Sequence, residues 1–273
     1  MKSGPDGAFR VDFSIHSLGS GSSGNSTLIQ AGGTKILLDA GVPVSKLQKR
    51  LSRFRVCIRD LDAVFLTHEH DDHSHAVWSL SKRHGIPIIA NPGTLHALWT
   101  QLPVPTARLL DTGACLALKD LAIESFPVSH DAAEPVGYNI YYRDRKASFV
   151  TDTGIAGREI PRRIEGSRLV VVEANHDTER LISGPYPWFL KTRILSEVGH
   201  LSNESAADLI LEHVGGSVRP TTIWLAHLSM TNNSPRIARR YVQYRLSQAD
   251  CAHVTLDVIP RDSAGLTWHA RGG

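Results

Sequence analysis

His68, His70, Asp72 and His73 crowd into the run Thr67-His68-Glu69-His70-Asp71-Asp72-His73. An apolar core has no use for three imidazoles and a carboxylate at that density. Neutral imidazole and carboxylate are donors that zinc, manganese and iron accept, so the run reads as a metal site. It follows Asp62-Ala63-Val64-Phe65-Leu66, an apolar stretch that reads as a buried strand, and precedes Ala76 to Arg83, whose spacing reads as a helix. A tight turn between the two splays His68 and His70 to one side and Asp72 with His73 to the other. Ligand pairs pointing apart suit two ions better than one. Such ions offer hydrolysis, by activating water and stabilising a developing negative charge.

The elements that would position these groups follow from hydrophobic periodicity. Thr27 to Gln30 and Lys35 to Asp39 flank Gly32-Gly33, a hairpin signal. Val44 to Arg53, Gly93 to Leu102, Asn203 to His213 and Pro235 to Leu246 read as helices. Gly137 to Tyr142 and Lys146 to Thr151 read as a second hairpin about Asp144, and Val170 to Glu173, Thr222 to Leu225 and Thr255 to Ile259 as further strands. Two β-rich halves, each with helices, predict two sheets packed face to face with helices outside. Three strand-like runs end on groups that could bind metal: His130 beyond Leu121 to Ser125, Asp152 beyond Phe149-Val150, and His227 beyond Trp224-Leu225.

The H-x-H-x-D-H spacing resembles the signature of the metallo-β-lactamase superfamily, and His130, Asp152 and His227 stand in the order in which that superfamily places its remaining ligands. The resemblance implies an α/β fold, an αβ/βα four-layer sandwich with the metals at one edge between the sheets. It implies that His68, His70 and His130 hold one divalent ion, that Asp72, His73 and His227 hold another, and that Asp152 bridges them. Either zinc or manganese suits these donors. Further strings are similar to the YycJ/WalJ-like branch: Ser17 to Ser26, Glu173-Ala174-Asn175-His176-Asp177, Tyr186 to Lys191, Gly199-His200-Leu201-Ser202-Asn203-Glu204, and His227-Leu228-Ser229 with Asn232-Asn233. For that branch the implied activity is a cytosolic, metal-dependent DNA 5′-to-3′ exonuclease. Relatives of the same fold cleave RNA or small cyclic phosphodiesters, and a dinuclear site can also hydrolyse a lactone or thioester, so those substrates stay open as alternatives. A scaffold that binds metal without catalysis is disfavoured by the complete ligand set.

By the same resemblance a metal-held hydroxide attacks phosphorus and Asp72 keeps it in place. His200, standing before the helix signal Ser202-Asn203-Glu204, protonates the departing oxygen. Glu173, at a strand end, orients His200. Gly19, Gly21 and Gly24 let the backbone approach a phosphate, with Ser22, Ser23 and Asn25 as nearby donors. His176, in the same string as Glu173, is a further candidate substrate contact. Arg236, Arg239 and Arg240, on the helix after His227 and interleaved with Tyr241 and Tyr244, could track a phosphate backbone. Trp188 and Phe189 read either as a base-stacking platform or as core.

Composition sets outer limits. At 273 residues the chain can bury a large core, and one domain over residues 13–273 is expected after a poorly ordered extension over residues 1–12. Apolar runs such as Leu169 to Val172 are far too short to cross a bilayer, so no membrane partner is expected. Asp6, Arg10 and Asp12 interrupt the N-terminus, which has no signal-peptide apolar region, and a cytoplasmic protein is expected. Cys57, Cys115 and Cys251 are widely spaced and form no C-x-x-C pair, the pattern of reduced thiols. A net charge of +3 permits a nucleic-acid partner without demanding one.

Overall fold

The computed structural model describes residues 13–101, 103–215 and 219–270. The extension expected over residues 1–12 lies outside them, as does Leu102, the expected end of one helix. Among the described residues there are two seven-stranded sheets. The first contains β1 (Phe13–Gly19), β2 (Ser26–Ala31), β3 (Thr34–Leu38), β4 (Ala63–Phe65), β5 (Ile88–Ala90) and β6 (Ala107–Leu109) in that order. The second contains β7 (Cys115–Leu118), β8 (Leu121–Pro127), β9 (Val136–Tyr142), β10 (Arg145–Val150), β11 (Leu169–Glu173), β12 (Thr221–Ala226) and β13 (Val254–Val258). The chain then returns to the first sheet, where β14 (Thr267–His269) pairs antiparallel with β1.

Each sheet is antiparallel at one end and parallel at the other. β3 to β6 run parallel, as do β10 to β13. Period-2 geometry gives the parallel strands two buried faces. Leu169, Val171, Trp224 and Ala226 enter the core between the sheets with Phe65, Tyr138 and Phe149. Their alternates Val170, Val172, Ile223 and Leu225 face the other way, under α5 (Glu159–Ile164), α8 (Asn203–Val214) and α9 (Pro235–Gln248). On the opposite side Leu28, Leu37 and Val64 meet Leu47 and Leu51 of α1 (Val44–Ser52), Leu80 of α3 (Val77–His84) and Leu95 of α4 (Pro92–Gln101). These contacts build the four-layer sandwich, helices outside and sheets within.

Three further helices complete the described chain: α2 (Asp71–Ser74), which carries the end of the histidine run itself, α6 (Thr178–Ser183) and α7 (Trp188–Leu195). Helix periodicity misses α2, α6 and α7 because each spans two turns or fewer, or carries its apolar residues all round. No helix among the described residues is long and apolar enough to cross a membrane.

Candidate active site

The ends of β4, β8, β10, β11 and β12 meet along one edge of the sandwich, and every strand-end group expected from the sequence is there. Thr67 and His68 follow β4, His130 follows β8, Asp152 follows β10, Glu173 ends β11, and His227 follows β12. Asp152 and His227 adopt left-handed backbone, with φ of 56° and 53°, and so does Asp39 after β3, at 58°. That conformation is unfavourable for a residue with a Cβ and persists where surrounding structure over-determines it. Here it turns the chain sharply off the strand, with the side chains of Asp152 and His227 in a shared cup and that of Asp39 behind it.

Within the cup His68, His70 and His130 bring donor atoms within 4.8 Å of one another, as do Asp72, His73 and His227, and His68, His73 and Asp152. Asp152 therefore touches both groups, grouped with His68 of the first and lying 3.2 Å from His73 and 3.2 Å from His227 of the second. Most of these imidazoles are tied at Nδ1 by an acceptor outside the cup. His73 donates to Asp39 at 2.8 Å, His227 to Glu173 at 2.8 Å, and His130 to the Gly199 carbonyl at 3.1 Å. His68 Nδ1 lies 3.0 Å from the Thr67 hydroxyl. Each tie orients the ring and leaves Nε2 for the cup, the outer-shell arrangement of metal-binding histidine. Nε2 of His68 is sealed from solvent with no hydrogen-bond partner, and Oδ2 of Asp152, equally sealed, has only its ion pair with His73. Buried polar atoms are rarely left so unless something else satisfies them. The donor set and these two buried atoms fit divalent cations.

Electrostatics agrees. Burial, with the neighbouring His73, holds His68 well below its ordinary pKa, and burial lowers His130 as well, so both rings are neutral. Burial on its own would raise the Asp152 carboxyl, but His227 and His73 outweigh it and keep the group ionised. For His73 and His227 burial is likewise outweighed, here by Asp152 with Asp39 or Asp72, and both hold protons between carboxylates. Metal binding in the cup would release protons of this kind.

His200 sits over the cup, its ring centroid 5.0 Å from that of His130 and 5.3 Å from that of His227. Its Nδ1 is 2.8 Å from Oε1 of Glu173, the same oxygen that holds His227. Burial opposes protonation of His200, yet the Glu173 carboxylate raises its pKa above the ordinary value. Glu173 is wholly buried; desolvation is overcome by His200 and the Glu173 carboxyl falls to about 2. The cleft above has a volume of about 440 Å³, and Asp72, His130, Asp152, His200, His227 and Ser22 all line it.

The proposed substrate contacts divide. Of the glycine-rich loop, Ser22 reaches the cleft, while Ser23 turns out to bond Asp262 at 2.7 Å. Amides that might have met a phosphate are spent internally, Ser20 on Arg261, Gly21 on the Asn25 side chain and Gly24 on the Gly21 carbonyl. Asn25 is not on the rim but within the cup, 2.8 Å from His73 Nε2 and 3.2 Å from Asp72 Oδ2. His176 is 1% exposed, with neither ring nitrogen partnered, and burial lowers its pKa to about 4. It is a neutral ring behind the wall and does not reach the cleft. Arg236, Arg239 and Arg240 are exposed on α9 but are absent from the cleft lining; Ser234 caps that helix and its apolar side packs on α8 and β13. Trp188 and Phe189 are surface residues, not core.

Sequence reasoning missed four contributors. Asp39 is a buried acid at a strand end, which was the available signal; it also accepts from the Thr67 amide at 2.9 Å. Gly41 permits a close approach, since a Cβ there would overlap the Asp72 carbonyl. Asn175 holds the His227 carbonyl at 2.9 Å and lines the cleft. Arg193 lines the cleft from α7 and is paired with Asp131.

Comparison with known proteins covers the same stretch. A family model described as the beta-lactamase superfamily domain matches residues 34–227, from the strand before Asp39 to His227. Exodeoxyribonuclease WalJ of Streptococcus pneumoniae is 37% identical over 245 residues, which cover 88% of this chain and 90% of the relative. Exodeoxyribonuclease YycJ of Bacillus anthracis is 36% identical over 241 residues, covering 87% and 90%. Among solved structures, the metallo-beta-lactamase fold protein YhfI from Bacillus subtilis superposes with a TM-score of 0.72 at 17% identity, covering 94% of this chain and 99% of that one.

Proposed function

The chain belongs to the β-lactamase superfamily, and we propose that it is a metal-dependent DNA exonuclease that works from the 5′ end. One observation carries the reading: a proton-holding histidine, His200, is fixed by a buried carboxylate directly over a two-part ligand cup. Bond cleavage at phosphorus needs both, a charged centre for the non-bridging oxygens and an acid for the departing one. Relatives named exodeoxyribonuclease, matching nearly end to end, support DNA as the substrate.

In this reading His68, His70 and His130 would hold one ion, Asp72, His73 and His227 would hold a second, and Asp152 would be shared between them. When bound, two zinc or manganese ions would supply Lewis acidity and an activated water. The protein does the rest. Asp39, Glu173 and the Gly199 carbonyl fix the ligand rings before substrate arrives. Asp72, held by Asn25, presents a carboxylate at the floor of the cleft and orients the attacking water. Glu173 keeps the proton on His200, which delivers it from its other nitrogen to the leaving oxygen. The stacked outer layers exclude water from everything except the cleft mouth.

End-labelled single- and double-stranded DNA and RNA, with and without a 5′ phosphate, test the proposal. DNA should be shortened from its 5′ end in the presence of manganese or zinc and left intact with a chelator. Brisk hydrolysis of a cyclic phosphodiester with every DNA and RNA end left intact would replace the nuclease with a small-molecule phosphodiesterase.

A further inference from the structure

Helix α7 forms one wall of the cleft and carries the most exposed aromatic residues of the described chain. Leu190, Arg193 and Ile194 line the cleft. Their spacing of three and four residues defines the inward side of the helix. Phe189, 76% exposed, stands four residues before Arg193, so the two form a stripe along the cleft-side rim. Trp188, 67% exposed, falls on the opposite side with Leu195. Lys191 is buried and fastens the helix to the Ile182 carbonyl at 2.6 Å. Phe189 therefore leaves a bare aromatic ring beside a polar cleft, on a helix that is fastened in place.

Two features say what it contacts. Arg193 presents a guanidinium at the cleft mouth, and its present partner is Asp131, an ion pair open to solvent. Exposed pairs of this kind contribute little, so a phosphate can replace Asp131 at small cost. Phe189 lies just over one helical turn, about 6 Å, from Arg193 along the axis, a span that a single nucleotide can bridge. A cation for phosphate with a bare ring for a base is the pairing by which proteins hold unpaired strands.

We propose that Phe189 and Arg193 hold the first unpaired nucleotide outside the cleft, its base on the Phe189 ring and its phosphate on the Arg193 guanidinium. The inference rests on the nuclease reading and adds a requirement for unpaired bases at the cleft mouth. Charge complementarity and continuity with the cleft favour a nucleic-acid strand over a second copy of the chain.

Binding is measured by fluorescence anisotropy with the metal-free full-length protein, which cannot degrade the probe. The probe is a 5′-phosphorylated single-stranded DNA oligonucleotide, compared with the same backbone made abasic. Phe189→Ala should weaken binding to the intact probe by about tenfold, the effect of losing one stacked base, and Phe189→Tyr should restore it. On the abasic probe all three proteins should bind alike. Arg193→Gln should reduce the salt slope by about 0.7, one phosphate contact on a single strand. Trp188→Ala, on the far side of the helix, should bind as the unaltered protein does. Equal losses for Trp188→Ala and Phe189→Ala overturn the stripe, as does an unchanged Phe189→Ala in a protein that degrades DNA normally. Altered size-exclusion behaviour of Phe189→Ala with unaltered affinity gives the face to a second copy and also overturns the proposal. Failure of the unaltered protein to bind or degrade any nucleic acid removes the nuclease reading itself.

Discussion

His73 and His227, in the strand-end cup, each spend Nδ1 on a buried carboxylate and keep Nε2 among other donors. His16, in the middle of β1, spends both ring nitrogens on hydroxyls, Nε2 with Ser14 at 2.9 Å and Nδ1 with Thr267 at 3.0 Å. Its ring also packs on Phe54, centroids 4.1 Å apart. All three histidines are buried, so burial does not separate a ligand from a core residue. What separates them is what the ring nitrogens meet. The core histidine meets neutral hydroxyls on both sides, whereas each cup histidine meets a buried carboxylate at Nδ1 and turns Nε2 toward further metal-binding groups, His73 beside Asp152 at 3.2 Å and His227 beside Asp72 at 3.3 Å. The backbone also differs between His16 and His227, because β1 runs on past His16 to Gly19 while His227 stands in left-handed conformation just beyond β12.

The contrast is broken most severely at the shared ligand. Asp152→Ala removes the carboxylate between His73 and His227, and it should lose at least one ion and nearly all phosphodiester hydrolysis. Elemental analysis of chelator-free protein beside a turnover assay with bis-p-nitrophenyl phosphate checks both. Full occupancy with full turnover would take Asp152 out of the centre.

Next in size is the acid. His200→Ala should bind metal as before but cleave DNA more slowly by about 100- to 10,000-fold, the range for loss of a positioned general acid. The defect should shrink on p-nitrophenyl esters, whose leaving group needs little protonation. Loss of metal instead would make His200 a ligand, since it already shares the Glu173 oxygen with His227.

Smaller again is the tie behind the ligand. Asp39→Asn keeps an acceptor for the Thr67 amide but loses the charge that orients His73. Metal affinity should fall by about 10- to 100-fold, measured by competition with a chelating indicator. Unaltered affinity would place the orientation of His73 elsewhere, on Thr67 or Asn25.

How much of this the sequence announces depends on where the physics is local. His68, His70, Asp72 and His73 are legible because one turn supplies all of them. His130, Asp152 and His227 are legible because an apolar run ending in a polar group marks the end of a strand, and the family pattern supplies their order. Asp39 ends a strand in the same way, yet its role depends on β3 lying beside β4, a pairing that periodicity does not contain. Arg236, Arg239 and Arg240 show the converse. They follow His227 closely in sequence, but α9, capped by Ser234, belongs to the outer layer, and its arginines are exposed without lining the cleft. The cation that does reach the cleft, Arg193, sits on a two-turn helix behind Pro187, where no helical period warns of it.

The smallest effect comes from the histidine that binds nothing. Burial lowers the His16 pKa from 6.5 to about 4, with the nearby His269 adding to it, so the folded chain prefers the ring neutral. Below pH 6.5 the unfolded chain takes up a proton that the folded one refuses until about pH 4. The stability His16 contributes is therefore complete above pH 6.5 and is lost as the pH falls through that window. Linkage puts the loss at about 2 kcal/mol by about pH 5. Urea unfolding of the unaltered protein and His16→Gln, at about pH 7.5 and pH 5, isolates the term, because acid release of metal from the cup is common to both chains. The stability difference between the two should move by about 2 kcal/mol in favour of His16→Gln at the lower pH. A difference that stays constant would mean that the His16 ring takes its proton in place, and that satisfying both nitrogens with hydroxyls does not exclude charge from the β1 edge.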